Sequence, residues 1–293
     1  MKHRRTDAYS LLCSVLDARA SAPPFRLMSI TSTQVCRAEI RFHEAVEALR
    51  SFVGCFWVVT AERGATIRVV PDGSTSISIQ LQNGRPSNWI LRGPLVRPDE
   101  RRFPSPALMI GVRLRPGVAF LLGGVPMHTM IGRRVGLNGI APFCDLVSQE
   151  LHPYTPERCI EVLQRFLVKR LEHASLHGVV ATALGEIERE HGNVRAADVA
   201  ARCRVSSRHL HRLMRIWTGY GPKCYATVVR FQATLHEMED APGRTAAALA
   251  SENGYFDQAH LAGDVARFAG ATPGRLASVG VADFSKTRCE DLP

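Results

Sequence analysis

The chain has 293 residues, 45% of them hydrophobic, and a formal net charge of +10 at pH 7. This length allows two domains, each large enough to bury a core, and no run approaches the roughly twenty apolar residues that a membrane span needs. The excess of basic residues indicates an anionic partner. The eight cysteines are scattered and include no C-x-x-C pair, which is typical of a reduced, cytosolic protein.

The N-terminal segment, residues 1–27, begins with basic residues but does not have the pattern of a signal peptide. Asp7, Asp17 and Arg19 interrupt the apolar stretch that such a peptide requires. We predict a poorly ordered extension, and Met1 and Met28 are the two candidate start residues.

Residues 28–155 show the pattern of a β-rich domain. A short helix is predicted at 39–50, and the segments that follow are strand-like runs at 52–59, 66–70, 75–81 and 108–114 and an apolar run at 118–125. Turn sequences such as Pro71-Asp72-Gly73 separate them. Because Ile77, Ile79 and Leu81 alternate with polar residues, we expect a sheet with one wet face. Short strands at this spacing predict a small β-sandwich or barrel.

A helix is predicted between the two halves of the chain. Pro156 suits the first helical position, where its missing N–H costs nothing, and residues 157–173 carry an apolar stripe at helical spacing. We expect residues 156–177 to form a linker helix. Its stripe has two interpretations, contact with a second copy of the chain in a homodimer or packing on its own domain.

The sequence DVAARCRVSSRHLHRLMRIW, residues 198–217, predicts a short helix, a turn and a second helix. Ser206 is a suitable N-cap, since its hydroxyl can accept a hydrogen bond from a backbone N–H two or three residues later. The apolar residues that share one face of the second helix are Leu210, Leu213, Met214 and Trp217. The basic residues on the opposite face are Arg208, His211, Arg212 and Arg215. Such a helix suits the major groove of DNA, and a solvated basic face is the alternative.

The same arrangement recurs about fifty residues later, in LASENGYFDQAHLAGDVARFAGATP from Leu249. Ala250 corresponds to Ala200, Gly254 lies in the turn, and Asp257 is the candidate N-cap. This second copy has one extra residue in its turn. A unit that is repeated once is a tandem pair rather than a solenoid, which needs three or more repeats.

The two helix-turn-helix units, the second with GYFDQAHL and a terminal G-x-T-P, resemble the DNA-binding domain of the AraC/XylS family of bacterial transcription regulators. The resemblance covers roughly Val179 to Leu276. It implies a seven-helix domain at 178–280, with units at 196–217 and 245–268 whose recognition helices enter successive major-groove segments, and a tail at 281–293.

The phrases VVPDG and GVRLRPGVAFLLGGVP resemble an N-terminal sensory-type domain that precedes such units in one subgroup of the family. In the better-known members this half is a cupin-like barrel. The predicted fold class is therefore α+β, with an N-terminal β-rich domain, either a cupin-like barrel or a sandwich. A C-terminal all-α domain with two helix-turn-helix units follows it.

The resemblance implies a sequence-specific transcription regulator in the cytoplasm, at the nucleoid, that needs no cofactor. Double-stranded DNA is the predicted partner, and RNA polymerase, a small-molecule effector and a second copy of the chain are candidates. The predicted DNA-binding residues are Ser206, Ser207, Arg208, His209, His211, Arg212, Arg215, Gln258, Ala259, His260 and Arg267. Small residues such as Gly263 stand in the second recognition helix where long hydrogen-bond donors are usual. We therefore expect the first unit to make most of the contact with DNA.

An alternative function is an enzyme whose cupin-like barrel is tethered to DNA by the C-terminal domain. A metal cupin presents converging histidines and a carboxylate, but His43 and His128 are far apart in sequence and no H-x-H lies between them. We therefore expect neither a metal nor catalysis. A third possible function is an interaction module that binds no DNA. The basic residues on the outer face of the helix at 208–215 argue against it.

Two arginines of the N-terminal domain are candidate ligands for an anionic effector. Arg113 lies in the predicted strand 108–114 and Arg115 directly follows it, so both can point to one side of the sheet. A solvated strand edge is the alternative interpretation.

Overall fold

The computed structural model describes residues 38–279 except 83–84, 148–150, 153 and 242. The predicted extension at 1–27 and the predicted tail at 281–293 lie outside the described residues. None of the helices in the described part of the chain is long and apolar enough to cross a membrane.

The N-terminal domain is built on an antiparallel sheet. Its strands are β1 (Ala38–His43), β2 (Val53–Ala61), β3 (Thr66–Val69), β4 (Thr75–Gln82), β5 (Arg85–Pro86), β6 (Ile90–Arg92), β7 (Asp99–Arg102), β8 (Ala107–Leu114) and β9 (Arg134–Gly136). Its helices are α1 (Val118–Gly123), α2 (Cys144–Val147) and α3 (Pro156–Leu171), with 3-10 turns at Glu47–Leu49, Met127–Met130 and Ala141–Phe143. The strand order is β1-β2-β8-β4-β6-β9, with β5 beside β4, and β3 and β7 form a separate two-stranded ribbon.

Both faces of the large sheet are covered. Phe56 and Ile110 belong to the main core, which α1 and α3 complete. Trp57 and Met109, on the other face, belong to a smaller core that includes Ile67 of the ribbon. The predicted β-rich domain is confirmed.

Strand β4 shows the predicted alternation, with one difference. Ile77 and Ile79 are fully buried in the main core, but Ser76 and Ser78 on the opposite face are buried as well. The face that was expected to be wet therefore lines a cavity instead of bulk solvent.

The helix predicted at 39–50 is wrong. Residues 38–43 form β1, which pairs with β2 so that Ile40 lies opposite Val59. Ala38, Ile40 and Phe42 alternate with charged side chains, and this period of two is the pattern of a strand. Only the short 3-10 turn Glu47–Leu49 is helical in this segment.

Helix α3 packs into the core of the N-terminal domain. It begins at Pro156, and the Thr155 hydroxyl accepts a hydrogen bond from the Arg158 N–H at 3.2 Å. Its stripe, including Leu163 and Leu167, is fully buried in the main core. Of the two interpretations of this stripe, packing on its own domain is the one found.

The C-terminal domain is entirely helical in the described residues. Its helices are α4 (Gly178–Arg189), α5 (Ala196–Arg202), α6 (Ser207–Thr218), α7 (Pro222–Asp240), α8 (Ala246–Glu252), α9 (Gln258–Ala269) and α10 (Pro273–Val279). Val180, Phe231 and Phe268 are among the side chains of one core that joins them. The predicted α+β class and the order of the two domains are confirmed.

The loop between β3 and β4 reaches into the C-terminal domain. Val70 has no exposed surface and belongs to the core of that domain. The Gln232 side-chain amide donates a hydrogen bond to the Pro71 carbonyl at 2.7 Å. Gly73 has a φ of +83°, and a Cβ atom there would lie 2.7 Å from the Tyr225 ring. The two domains therefore share a packed interface.

Candidate nucleic-acid interface

The first helix-turn-helix unit consists of α5, a turn and α6. The Val205 N–H donates a hydrogen bond to the Ala200 carbonyl at 3.1 Å, and Arg204 between them takes a left-handed φ of +55°. The Ser206 hydroxyl accepts a hydrogen bond from the His209 N–H at 3.2 Å. This is the N-cap predicted from the sequence.

The second unit repeats these contacts with α8 and α9. The Tyr255 N–H donates to the Ala250 carbonyl at 2.9 Å, and Gly254 has a left-handed φ of +68°. The Asp257 carboxylate accepts a hydrogen bond from the His260 N–H at 2.7 Å. In the first unit the N-cap directly follows Val205, whereas here Phe256 stands between Tyr255 and Asp257. Phe256 is therefore the extra residue.

Helix α6 separates its apolar and basic residues between two faces. Leu210, Leu213 and Met214 are buried in the domain core. The exposed residues on the other side are Ser206, Ser207, Arg208, His209, His211, Arg212 and Arg215. The structure thus brings the predicted residues of the first unit together on one accessible surface, which we call the basic face.

Arg202, which lies nearby on α5, is paired with carboxylates, whereas the arginines of the basic face are not paired with any carboxylate of the described residues. Arg202 is 2.6 Å from a Glu186 carboxylate oxygen and 3.3 Å from one of Glu190. Hydrogen bonds from Arg189 and Arg202 lower the pKa of the Glu190 carboxyl below its ordinary value. No carboxylate of the described residues forms an ion pair with Arg208, Arg212 or Arg215 within 4.0 Å. These three charges are available for phosphates or base edges.

Helix α9 presents a different surface. Gln258, Ala259, His260 and Arg267 are exposed, as a DNA-binding role requires. His260 is nevertheless held within its own domain, because its ring packs edge-on against Tyr255 at 5.2 Å between centroids. Its Nε2 atom lies 3.9 Å from a carboxylate oxygen of Asp264. We infer that His260 supports the turn more than it reaches outward.

The basic face forms one wall of a cleft between the two domains. His128, from the 3-10 turn Met127–Met130, lines the cleft together with Arg208 and Arg212. The cleft has a volume of about 620 Å³. The same helix also contacts the N-terminal domain through the Trp217 ring, which packs on Phe120 of α1 with centroids 4.6 Å apart. A molecule bound to the basic face would therefore lie close to the N-terminal domain.

The two arginines that were predicted to bind an anionic effector lie in different places. Arg113 lines a cavity beside Trp57, and its guanidinium is 2.8 Å from the Asp72 carboxylate in a pair that is almost wholly buried. Arg115 follows the end of β8, does not line the cavity, and donates a hydrogen bond to the Arg50 carbonyl at 3.0 Å. Burial lowers the pKa of Arg92, which also lines the cavity, and the charges of Asp72 and Asp99 oppose that effect.

Two residues at the turn of the second unit, one in the turn and one packed against it, were not recognised in the sequence. Phe256 is 93% exposed. Arg230, on α7, donates a hydrogen bond to the Gly254 carbonyl at 2.9 Å and lies 5.0 Å from the centre of the Tyr255 ring. The extra residue in the turn was a signal for Phe256. The contacts of Arg230 join segments that are 24 residues apart, and no local pattern marks them.

No group of three His, Cys, Asp or Glu side chains in the described part of the chain is close enough together to hold a metal ion. His43 lies on β1, and His128 lines the cleft described above. They lie on different elements and do not form a cluster.

Two family models match the chain. Residues 199–278 match a family described as helix-turn-helix domain, and residues 41–136 match a domain of unknown function, DUF6597. The fold and the basic face define a DNA-binding protein of the helix-turn-helix class. Its C-terminal domain contains the helix-turn-helix domain that this match describes. No curated protein matches the chain.

Several solved structures resemble the chain loosely. ToxT from Vibrio cholerae is 9% identical, with 84% of this chain and 99% of that chain covered and a TM-score of 0.42. ToxT bound to (E)-4-(8-methylnaphthalen-1-yl)but-3-enoic acid is 11% identical over 84% and 99% of the two chains, with a TM-score of 0.41. The AraC-like transcriptional activator CuxR is 12% identical over 61% and 80%, with a TM-score of 0.18. These likenesses are too weak to assign a ligand or a mechanism.

Proposed function

We propose that the protein regulates transcription by binding specific sites in duplex DNA, with α6 and α9 in two successive segments of the major groove. The observation that carries this proposal is the basic face, where three arginines without carboxylate partners in the described residues project from a capped helix. Arginine bidentate to guanine is the commonest specific contact in the major groove.

The spacing of the two units supports reading by one copy of the chain. Helix α7 connects them and has 19 residues, which corresponds to about 28 Å at 1.5 Å per residue. Successive turns of one groove are about 34 Å apart. The connecting helix and the widths of the two units together can span that distance.

The first unit provides most of the phosphate attraction in this proposal. Between residues 195 and 217 six arginines stand against one acidic residue, Asp198. Because each neutralised phosphate releases counterions, the logarithm of the binding constant should fall with the logarithm of salt at a slope of about −0.9 per phosphate contact.

The N-terminal domain has a regulatory and not a catalytic role in this proposal. It packs against the recognition helix through Phe120 and Trp217, so a ligand or partner that shifts this domain also shifts the basic face. The cavity beside Arg113 is a candidate place for a small anionic effector. RNA polymerase and a second copy of the chain are further partners, and the cytoplasm, at chromosomal DNA, is the proposed location.

The test compares Arg208→Ala, Arg212→Ala and Gln258→Ala on a duplex that the full chain selects from a random pool. At one fixed salt concentration, each arginine variant should lose about 1–3 kcal/mol of specific binding and relax the preference at one base pair. Gln258→Ala should lose less. Arg165→Ala, which removes the same charge from an exposed position on α3, is the matched control and should change little.

Each alternative has its own outcome. A folded chain that binds no duplex at low salt overturns the proposal. A larger loss of specificity for Gln258→Ala makes the second unit the main reader. An equal loss on selected and scrambled DNA makes the arginines phosphate contacts, which position the protein without specifying sequence.

A further inference from the structure

Phe256 is the most exposed large apolar side chain in the described part of the chain. It is 93% exposed, whereas the next, Val46, is 45% exposed. The free energy gained by burying one phenylalanine side chain is an appreciable fraction of the net free energy of unfolding of a domain. A single exposed apolar residue is common, so its surroundings decide whether it has a function.

The turn around Phe256 is held firmly. Tyr255, which precedes Phe256, is 5% exposed, and Arg230 packs over the Tyr255 ring. Asp257 after it caps α9 through a 2.7 Å hydrogen bond, and the Phe256 N–H donates to the His260 ring at 3.4 Å. With both neighbours fixed, the backbone of Phe256 is held in place, so little backbone freedom is lost when the ring meets a partner.

One exposed face of α9, the helix that follows Phe256, carries small and uncharged side chains. Ala259, Gly263 and Ala266 are exposed and follow at spacings of three and four, which places them on one face of α9. No atom lies within 4 Å of a Cβ built on Gly263. In a helix-turn-helix unit, the N-terminal residues of the second helix are those that reach the base edges. Phe256 stands at that end.

We propose that Phe256, with Ala259, reads the C5-methyl groups of thymines in the half-site of the second unit. This inference rests on the proposed function, since it assumes that α9 enters the major groove. The thymine methyl is the apolar feature of that groove, and alanine and phenylalanine are side chains that contact it. The second unit thus recognises sequence through apolar contact, whereas the first uses charged donors.

The observations favour DNA over a protein as the partner of this surface. The phenylalanine lies at the base-reading end of the recognition helix, and Gln258 beside it can pair with adenine. Small side chains at Ala259 and Gly263 let the helix approach the base pairs closely. Thymine and adenine are the two bases of one pair, so both contacts select A·T pairs.

The experiment replaces thymine by deoxyuridine, which keeps base pairing and removes only the methyl group. The full chain is titrated on the duplex it selects from a random pool, with each thymine replaced in turn. At one or two positions affinity should fall about three- to fivefold, the effect of exposing one methyl-sized apolar group. These positions should lie about ten base pairs from those whose preference changes in Arg212→Ala.

Variants assign the effect to a side chain. Phe256→Ala should bind the thymine duplex more weakly and no longer distinguish it from the deoxyuridine duplex, while Phe256→Leu should keep part of the difference. Gln258→Ala, the matched control, should bind more weakly but still respond to the methyl group. Because Phe256 is exposed, its variants should unfold at the same temperature as the parent chain.

The outcomes separate this inference from the proposed function. Duplex binding that is unaffected by deoxyuridine at every position overturns the inference and leaves the proposed function standing. An equal deoxyuridine effect in the parent and in Phe256→Ala also overturns it, because another side chain then reads the methyl group. Unchanged DNA binding by Phe256→Ala points to a protein partner and likewise rejects it. A folded chain without duplex binding rejects both.

Discussion

The ion pair between Asp72 and Arg113 offers a quantitative test of how the N-terminal domain is held together. Asp72 lies in the loop that enters the C-terminal domain, and Arg113 lies on β8. Their side chains are 6% and 4% exposed, with 2.8 Å between Nη2 and Oδ2. The other carboxylate oxygen, Oδ1, accepts hydrogen bonds from the Ser74 N–H and hydroxyl at 2.8 and 2.6 Å.

The substitution Asp72→Asn isolates the charge. The asparagine oxygen can keep the two hydrogen bonds from Ser74, but its amide NH₂ would face the Arg113 guanidinium, donor against donor. Removing one partner of a buried ion pair leaves an uncompensated charge and costs about 3–5 kcal/mol. At a urea slope of about 2–3 kcal/mol per molar, the midpoint of unfolding should fall by about 1–2.5 M.

Urea unfolding followed by tryptophan fluorescence measures this loss. Trp57 and Trp89 report on the N-terminal domain and Trp217 on the C-terminal domain, so uncoupling of the domains would also be visible. Glu161→Gln, which removes one carboxylate from an exposed pair with Arg158, is the matched control and should have little effect. The double variant Asp72→Asn/Arg113→Met should regain much of the stability. If Asp72→Asn costs no more than Glu161→Gln, the reasoning is refuted.

Two further predictions concern titration and metal content. Burial raises the pKa of the Asp264 carboxyl, with His260, Arg230 and Arg267 opposing, so its ionisation costs stability above that raised pKa. Asp264→Asn should therefore increase the free energy of unfolding at pH 7. The gain should shrink as the pH falls below the raised pKa and disappear below the ordinary pKa of an aspartate; a gain independent of pH would contradict this. Elemental analysis of the purified chain should find no stoichiometric iron, manganese or zinc. About one metal per chain, abolished by changing His43 or His128, would revive the enzyme alternative.

The local signals in the sequence determined the two helix-turn-helix units. Ser206 and Asp257 cap the second helix of each unit in the structure, as their side chains and positions predicted. The apolar residues on the buried face of α6 could be recognised in the sequence because they recur every three to four positions. Capping and periodicity depend on neighbours within one or two turns, so they can be recognised without a tertiary structure.

The tertiary structure decided the features that depend on distant parts of the chain. Asp72 and Arg113 are separated by 41 positions, and only the approach of a loop to β8 pairs them. Val70 reads as the end of a strand, yet it completes the core of the other domain. Phe256 reads as one more apolar residue in its turn, yet it is almost fully exposed. Periodicity indicates which face of a helix or strand is buried. Only the assembled fold determines which other part of the chain packs against that face.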